Sequence, residues 1–324
     1  MKTATASSDK SQRSTLGRRA LLAGAGAGLG LLLMPAAVPA QPMAMGGPPQ
    51  KTLSVFGANI RYYDLGDRAK PTLVLVHGVG SSAWGDWGAV MPALARSHRV
   101  IALDQLGFGK SDKPVISYGI QTWVDTLGEF LRLLKVRDFT LMGESLGGWV
   151  SARYTAQALR GEAADPRFAL PRPRKLVLCN AAGDKQSMLA VTAMSAKGAP
   201  PLSVTGEKLL LGMVFHDPRV ATPERLEQNM RGAMLKGDGL AISAVFGNPR
   251  LAQEENIDGV LGSIDIPTQV VWGEYDGFFP LEVGKRIAAG IPGARLVVIP
   301  DTGHAPMLEK PTVFLAAVGP FIAD

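Results

Sequence analysis

With 324 residues, 46% of them hydrophobic and 19% charged, the chain is too apolar to be disordered and long enough for one large α/β domain with an insertion, or for two domains. The net charge of +6 is concentrated in residues 1–40, which carry +4; the remaining 29 basic and 27 acidic residues leave only +2, and no basic stripe interleaved with aromatics points to nucleic acid. A single cysteine, Cys179, excludes an internal disulfide, and four histidines without HExxH, CxxC, GxGxxG or Walker A patterns give no basis for a metal or a nucleotide cofactor, so none is expected.

Residues 1–19 are polar and basic and end in Leu16-Gly17-Arg18-Arg19. An uncharged apolar run, Ala20 to Met34, follows, and the stretch closes on Val38-Pro39-Ala40. This is the order of a secretory signal peptide over 1–40, and the paired arginines before Ala20-Leu21-Leu22 look like a twin-arginine signal. The expected location is periplasmic or secreted, without stable membrane insertion once the signal is cut after Ala40. Residues 41–51, rich in Pro, Gly and Met, read as a linker.

Two β-like runs, Thr52 to Phe56 and Ile60 to Tyr63, flank a predicted turn at Gly57-Ala58-Asn59. Thr72 to Val76 is continuously apolar, as a strand buried on both faces must be. It runs into His77-Gly78-Val79-Gly80-Ser81-Ser82. A helix is predicted from about Trp87 to Ala95, a strand over Arg99 to Leu103, and a polar turn at Asp104-Gln105-Leu106-Gly107-Phe108-Gly109-Lys110-Ser111. Trp123, Leu127, Leu131 and Leu134 recur at helical spacing. Further strands are predicted at Phe139 to Met142, Arg174 to Cys179, Thr268 to Trp272 and Arg295 to Ile299. Strands alternating with helices predict an α/β fold with a doubly wound, mostly parallel sheet. Between Asn180 and Asp265 the alternation stops, leaving only apolar helical stretches at Met188 to Met194, Lys208 to Phe215 and Arg225 to Leu235. The organisation expected is therefore a core over 52–182 and 266–324, interrupted by a helical cap over 183–265.

The strand at Phe139 to Met142 leads directly into Gly143-Glu144-Ser145-Leu146-Gly147-Gly148 and a helix. Strand, GxSxG and helix in that order form a nucleophile elbow: Ser145 is forced into a strained conformation that lifts its hydroxyl, and the glycines let strand and helix touch. Leu146 opens the helix with a free N–H aimed where an oxyanion would develop.

Together with His77-Gly78, the Asp104xxGxGxS segment, Gly273-Glu274-Tyr275-Asp276-Gly277-Phe278-Phe279-Pro280 and Gly303-His304, this elbow resembles the α/β-hydrolase fold family, in the same chain order, from about residue 52 to the C-terminus. The resemblance implies a triad of Ser145, Asp276 and His304. A serine hydroxyl needs a base, and the base needs a carboxylate to fix its tautomer. The plainer alternatives are a capping serine at 145, a surface histidine at 304, and Asp301 or Glu274 as the acid. The Val79 and Leu146 N–H groups are the expected oxyanion donors. His77 is expected to shape its loop; Asp104, Gly107, Gly109 and Ser111 to make turns; His98 to be exposed; and His216 to end a helix, with a pocket role as its alternative. Leu209, Leu210, Met213, Met230 and Met234 are expected to form the cap core, with some lining an apolar acyl pocket.

A serine at the elbow argues against epoxide hydrolase and haloalkane dehalogenase. Carboxylic ester hydrolysis, carbon–carbon hydrolysis of ring-cleavage diketones and a haloperoxidase-like esterase remain, alongside a non-catalytic hydrolase-fold binding protein, which a complete triad disfavours. The carbon–carbon hydrolases usually carry Asn before the serine and Gly-Pro-Gly after His-Gly. Here Glu144 and Gly80-Ser81-Ser82 stand instead, so the expectation is an exported esterase acting on a small-molecule ester with a small or medium apolar acyl group.

Overall fold

The computed structural model describes residues 47–196 and 203–323; the predicted signal at 1–40 and residues 41–46 of the predicted linker lie outside it. Eight strands form one sheet: β1 (Lys51–Val55), β2 (Ala58–Leu65), β3 (Thr72–Val76), β4 (Arg99–Leu103), β5 (Phe139–Glu144), β6 (Pro173–Cys179), β7 (Thr268–Gly273) and β8 (Arg295–Ile299). Their order across the sheet is β1-β2-β4-β3-β5-β6-β7-β8. β2 runs antiparallel to both neighbours, and every pairing from β4 onward is parallel. The chain order reverses at β3, which lies between β4 and β5. Such a switch point leaves a crevice at the strands' carboxyl ends, where ligands bind in open α/β sheets.

Helices α1 (Ala83–Trp87), α2 (Met91–Leu94), α3 (Ile120–Leu133) and α4 (Leu146–Arg160) precede β6. Five more, α5 (Lys185–Ala196), α6 (Val204–Val214), α7 (Pro223–Lys236), α8 (Gly239–Gly247) and α9 (Pro249–Glu254), fall between β6 and β7. α10 (Leu281–Gly290), α11 (Pro306–Glu309) and α12 (Pro311–Ala323) complete the chain. The central strands are buried on both faces. Val74, Val76, Ile101, Leu103 and Leu141 pack with α3 and α4, whereas Leu73, Leu75, Val100, Ala102 and Met142 pack with α1, α2 and α12. Each fully buried aliphatic side chain contributes about 1.5–3 kcal/mol, so the uninterrupted apolar runs that marked these strands also stabilise them.

Several expectations are corrected. The hairpin turns at Phe56-Gly57, both with positive φ (50° and 86°), one residue earlier than predicted; this pair of left-handed residues matches the twist of the flanking strands. The single helix from Trp87 to Ala95 is two short ones, because Gly88 and Pro92 interrupt it. Residues 47–51 are not a free linker: Lys51 begins β1, Gln50 Nε2 donates to Asp104 Oδ2 at 2.9 Å, and Gly47 lies against Trp84. His98 is buried, its ring bonded to Ser97 Oγ and the Ile322 carbonyl. On α6 and α7, Leu209 (59% exposed), Leu210 (43%) and Met234 (67%) face solvent, and Met213 and Met230 are half-buried. An apolar run as continuous as Leu209-Leu210-Leu211 cannot turn every residue inward on a helix, and Leu211 is the one buried. Helices α8 and α9, which the sequence reading missed, bury Ala241, Val245, Leu251 and Ala252, and Ile257, Leu261 and Ile264 join the same core cluster.

Candidate active site

Ser145 sits between β5 and α4 with φ 51° and ψ −118°. A non-glycine residue in that region is strained by roughly 1–3 kcal/mol and persists only when its surroundings enforce it. Here Ser145 N–H donates to the Cys179 carbonyl, and its own carbonyl accepts from Trp149 and Ala182. The flanking glycines make the turn possible. A Cβ on Gly143 would fall 2.2 Å from the Gly147 carbonyl oxygen, and one on Gly147 2.2 Å from the Val76 carbonyl oxygen.

His304 follows β8 and Asp276 follows β7, as the sequence placed them. His304 Nδ1 lies 2.8 Å from Asp276 Oδ2. The other oxygen, Oδ1, accepts from the N–H groups of Phe278 (2.8 Å) and Phe279 (3.0 Å), and Asn180 Nδ2 donates to Oδ2 at 2.7 Å. A carboxylate with this many donors is held in one orientation. The rings of Phe278 and Phe279 pack on the imidazole at 5.0 and 5.5 Å. The rival acids are elsewhere: Asp301 is exposed and pairs with Lys310, and Glu274 accepts the Asp301 N–H.

Beside the elbow, the 77–82 loop presses on Ser145; a Cβ on Gly78 would be 3.1 Å from the Ser145 Cβ. Among the described residues no protein acceptor takes the N–H of Val79 or of Leu146. His77 is fully engaged in its loop. Its Nδ1–H donates to the Gly78 carbonyl and its Nε2 accepts from Gln105 N–H, while burial pushes its pKa down, so it remains neutral. Asp104 accepts from Ala83 and Lys110 N–H, and Ser111 Oγ donates to the Asp104 carbonyl, which makes both turn-formers. His216 is exposed and stacks on Tyr275 at 4.2 Å.

Four contributors were not visible as site residues in the sequence. Asn180 steadies Asp276 while its Oδ1 accepts the Gly273 N–H. Glu309 accepts the N–H groups of Gly303 and Asp217, fastening the His304 loop to the segment after α6. Glu144 Oε1 lies 3.3 Å from His304 Nε2, and Asp86 takes the Gly78 N–H. The helices between β6 and β7 touch both sides of this site. The Val214 carbonyl at the end of α6 accepts the His304 N–H at 2.7 Å, and Lys236 at the end of α7 donates to the Gly80 carbonyl at 2.9 Å. A groove of about 1500 Å³, lined by Phe56, Ile116, Asp125, Glu162 and Phe168 among others, lies apart from these residues.

A family model described as alpha/beta hydrolase family matches residues 73–318. The chain is 29% identical over 261 residues to the 2-hydroxymuconate semialdehyde hydrolase of Pseudomonas sp. (strain CF600), covering 78% of this chain and 87% of that protein. It is 30% identical over 276 residues to the 2-hydroxy-6-oxo-2,4-heptadienoate hydrolase of Pseudomonas putida, covering 82% and 94%. Among solved structures, a meta-cleavage product hydrolase from Pseudomonas fluorescens IP01 superposes with a TM-score of 0.71 at 26% identity, over 84% of this chain and 96% of that one.

Proposed function

The chain belongs to the alpha/beta hydrolase family, and from that premise we propose that it is a serine hydrolase working through an acyl-enzyme on Ser145. The observation that carries this reading is the His304–Asp276 pair beside a strained serine at a strand-to-helix turn. His304 takes the Ser145 proton as Oγ attacks a substrate carbonyl, and Asp276 stabilises the imidazolium. The free N–H groups of Val79 and Leu146 would receive the oxyanion. The imidazolium then protonates the leaving group, and water releases the acyl product by the same path.

For the bond broken, the reading with most support is hydrolysis of a carbon–carbon bond beside a ketone, since the relatives above are named as hydrolases of 2-hydroxymuconate semialdehyde and of 2-hydroxy-6-oxo-2,4-heptadienoate, the solved structure as a meta-cleavage product hydrolase, and each matches about four-fifths of the chain. In that reaction the leaving group is a carbon, which departs only if an adjacent conjugated carbonyl takes up its charge. Carboxylic ester hydrolysis, the sequence expectation, stands as the second reading because Glu144 and Gly80-Ser81-Ser82 depart from the carbon–carbon pattern. Measuring kcat/KM for one ring-cleavage diketone against p-nitrophenyl esters from acetate to palmitate separates the two. The first reading predicts the diketone ahead by at least about tenfold; an ester ahead by that margin would replace it. We also propose, from residues 1–40 alone, export by the twin-arginine route to the periplasm or beyond.

A further inference from the structure

Glu144 immediately precedes Ser145, and its carboxyl points inward with only 4% of the residue exposed. Its Oε1 is 3.3 Å from His304 Nε2, the nitrogen that must take the Ser145 proton, while Asp276 holds Nδ1. Among the described residues no formed hydrogen bond joins either Ser145 Oγ or Glu144 to the ring, and Glu144 Oε1 is the acid oxygen at ion-pair distance from Nε2. Behind Glu144 stands Asp86 of α1, whose Oδ2 accepts the Gly78 N–H at 2.7 Å and whose Oδ1 accepts the Ser81 hydroxyl. A Cβ on Gly78 would lie 2.3 Å from Glu144 Oε2, so this carboxyl fills the space beneath the loop.

We propose that Glu144, braced by Asp86, is a positioning residue that holds the Nε2 side of His304 in the resting enzyme and must release it before Ser145 is activated. The proposal rests on the serine-hydrolase reading above. With Nδ1–H given to Asp276, the Nε2 of a neutral ring carries a lone pair, as does each oxygen of a carboxylate. At 3.3 Å the contact is an ion-pair approach rather than a formed hydrogen bond, and two lone pairs that face each other repel, so the pair is favoured when it carries one proton. Whether that proton sits on Glu144 or on the ring, Nε2 is unavailable as a base. Its loss ends the contact and frees Nε2 to accept from Ser145.

The surroundings favour retaining the proton. Burial raises the Glu144 pKa most, and the charge and hydrogen bond of Asp86 and the charge of Asp276 add to it, while the Gly78 N–H acts the other way. The other titratable groups facing this cluster are His304 after β8, the Cys179 thiol on β6, and His77 at the base of the loop with Asp104 and Lys236 beyond it. A group with a raised pKa gives up its proton at higher pH, so activation of Ser145 should rise with pH through that release.

The test is the rate of fluorophosphonate labelling of Ser145 as a function of pH in the wild type, Glu144→Gln and Asp86→Asn, a readout independent of the natural substrate. Glu144→Gln removes the titrating group and should move the midpoint of the acid limb down by about one pH unit or more; Asp86→Asn should move it the same way by less. Identical midpoints in all three, with rates scaled by a constant factor, would reduce Glu144 to packing and overturn the proposal. If melting shows Glu144→Gln unfolded, the Asp86→Asn midpoint decides alone, an unshifted value being the overturning one. A wild type that is never labelled at Ser145 would sink the serine-hydrolase reading itself, and this inference with it.

Discussion

Replacing Asp276 by Asn probes the site with almost no change of shape. Oδ1 of Asp276 is fixed by two N–H donors, those of Phe278 and Phe279, so the amide oxygen of the variant stays there and the NH2 takes the place of Oδ2. That NH2 then faces His304 Nδ1 and Asn180 Nδ2, both of which donate to Oδ2 in the wild type. The ring must give up its Nδ1 proton and carry it on Nε2, the wrong tautomer for accepting from Ser145. Flipping the Asn180 amide would only move the conflict to the Gly273 N–H, which Asn180 Oδ1 now accepts. One buried donor is therefore left unsatisfied, costing about 1–3 kcal/mol of stability, a loss of several degrees in Tm that leaves the protein folded. Transition-state stabilisation falls far more, by about 10⁴-fold in kcat, or about 5.4 kcal/mol. The assay is kcat on the best substrate of the panel at its pH plateau, paired with a melting curve, with Asp301→Asn as control. Activity of Asp276→Asn within tenfold of wild type, or a collapse in Asp301→Asn instead, would refute the reasoning.

Gly147→Ala should destabilise the protein by about 3 kcal/mol or more in chemical denaturation, because its Cβ meets a main-chain oxygen of β3 that has nowhere to move; a cost under about 1 kcal/mol would show that strand and helix tolerate separation. Changing Arg18 and Arg19 together to Lys keeps the leader's charge and should hold the protein in the cytoplasm, whereas the exported wild type should begin at or near Gln41. Mature membrane-bound protein that retains Met1 would favour an uncleaved anchor.

Strands were legible wherever apolar residues ran without interruption, and β8 ends where the sequence put it, at Arg295 and Ile299. The helix α8, Gly-Leu-Ala-Ile-Ser-Ala-Val-Phe-Gly, was not, because it is apolar on nearly every face and flanked by glycines, which leaves no 3.6-residue periodicity to read. His98 was misjudged for a different reason: its partner, the Ile322 carbonyl, is 224 residues away in sequence. The site shows the same division. Ser145, Asp276 and His304 stand out because close backbone approach demands a glycine near each of them. Asn180, Glu309 and Asp86 carry no such punctuation, and their roles exist only once the ends of β6, β7 and β8 and the short helices α1 and α11 converge. In the sequence Glu144 is only a departure from a pattern; its approach to His304 depends on β5 and β8 ending at the same edge of the sheet.

The central claim is that Ser145 is the nucleophile. Treating the protein with a fluorophosphonate and mapping the adduct by peptide mass spectrometry tests it most directly. Modification should be stoichiometric at Ser145 and abolished in Ser145→Ala, whose kcat should fall by on the order of 10³-fold or more. An adduct on another residue, together with a Ser145→Ala variant that retains full activity, would contradict it.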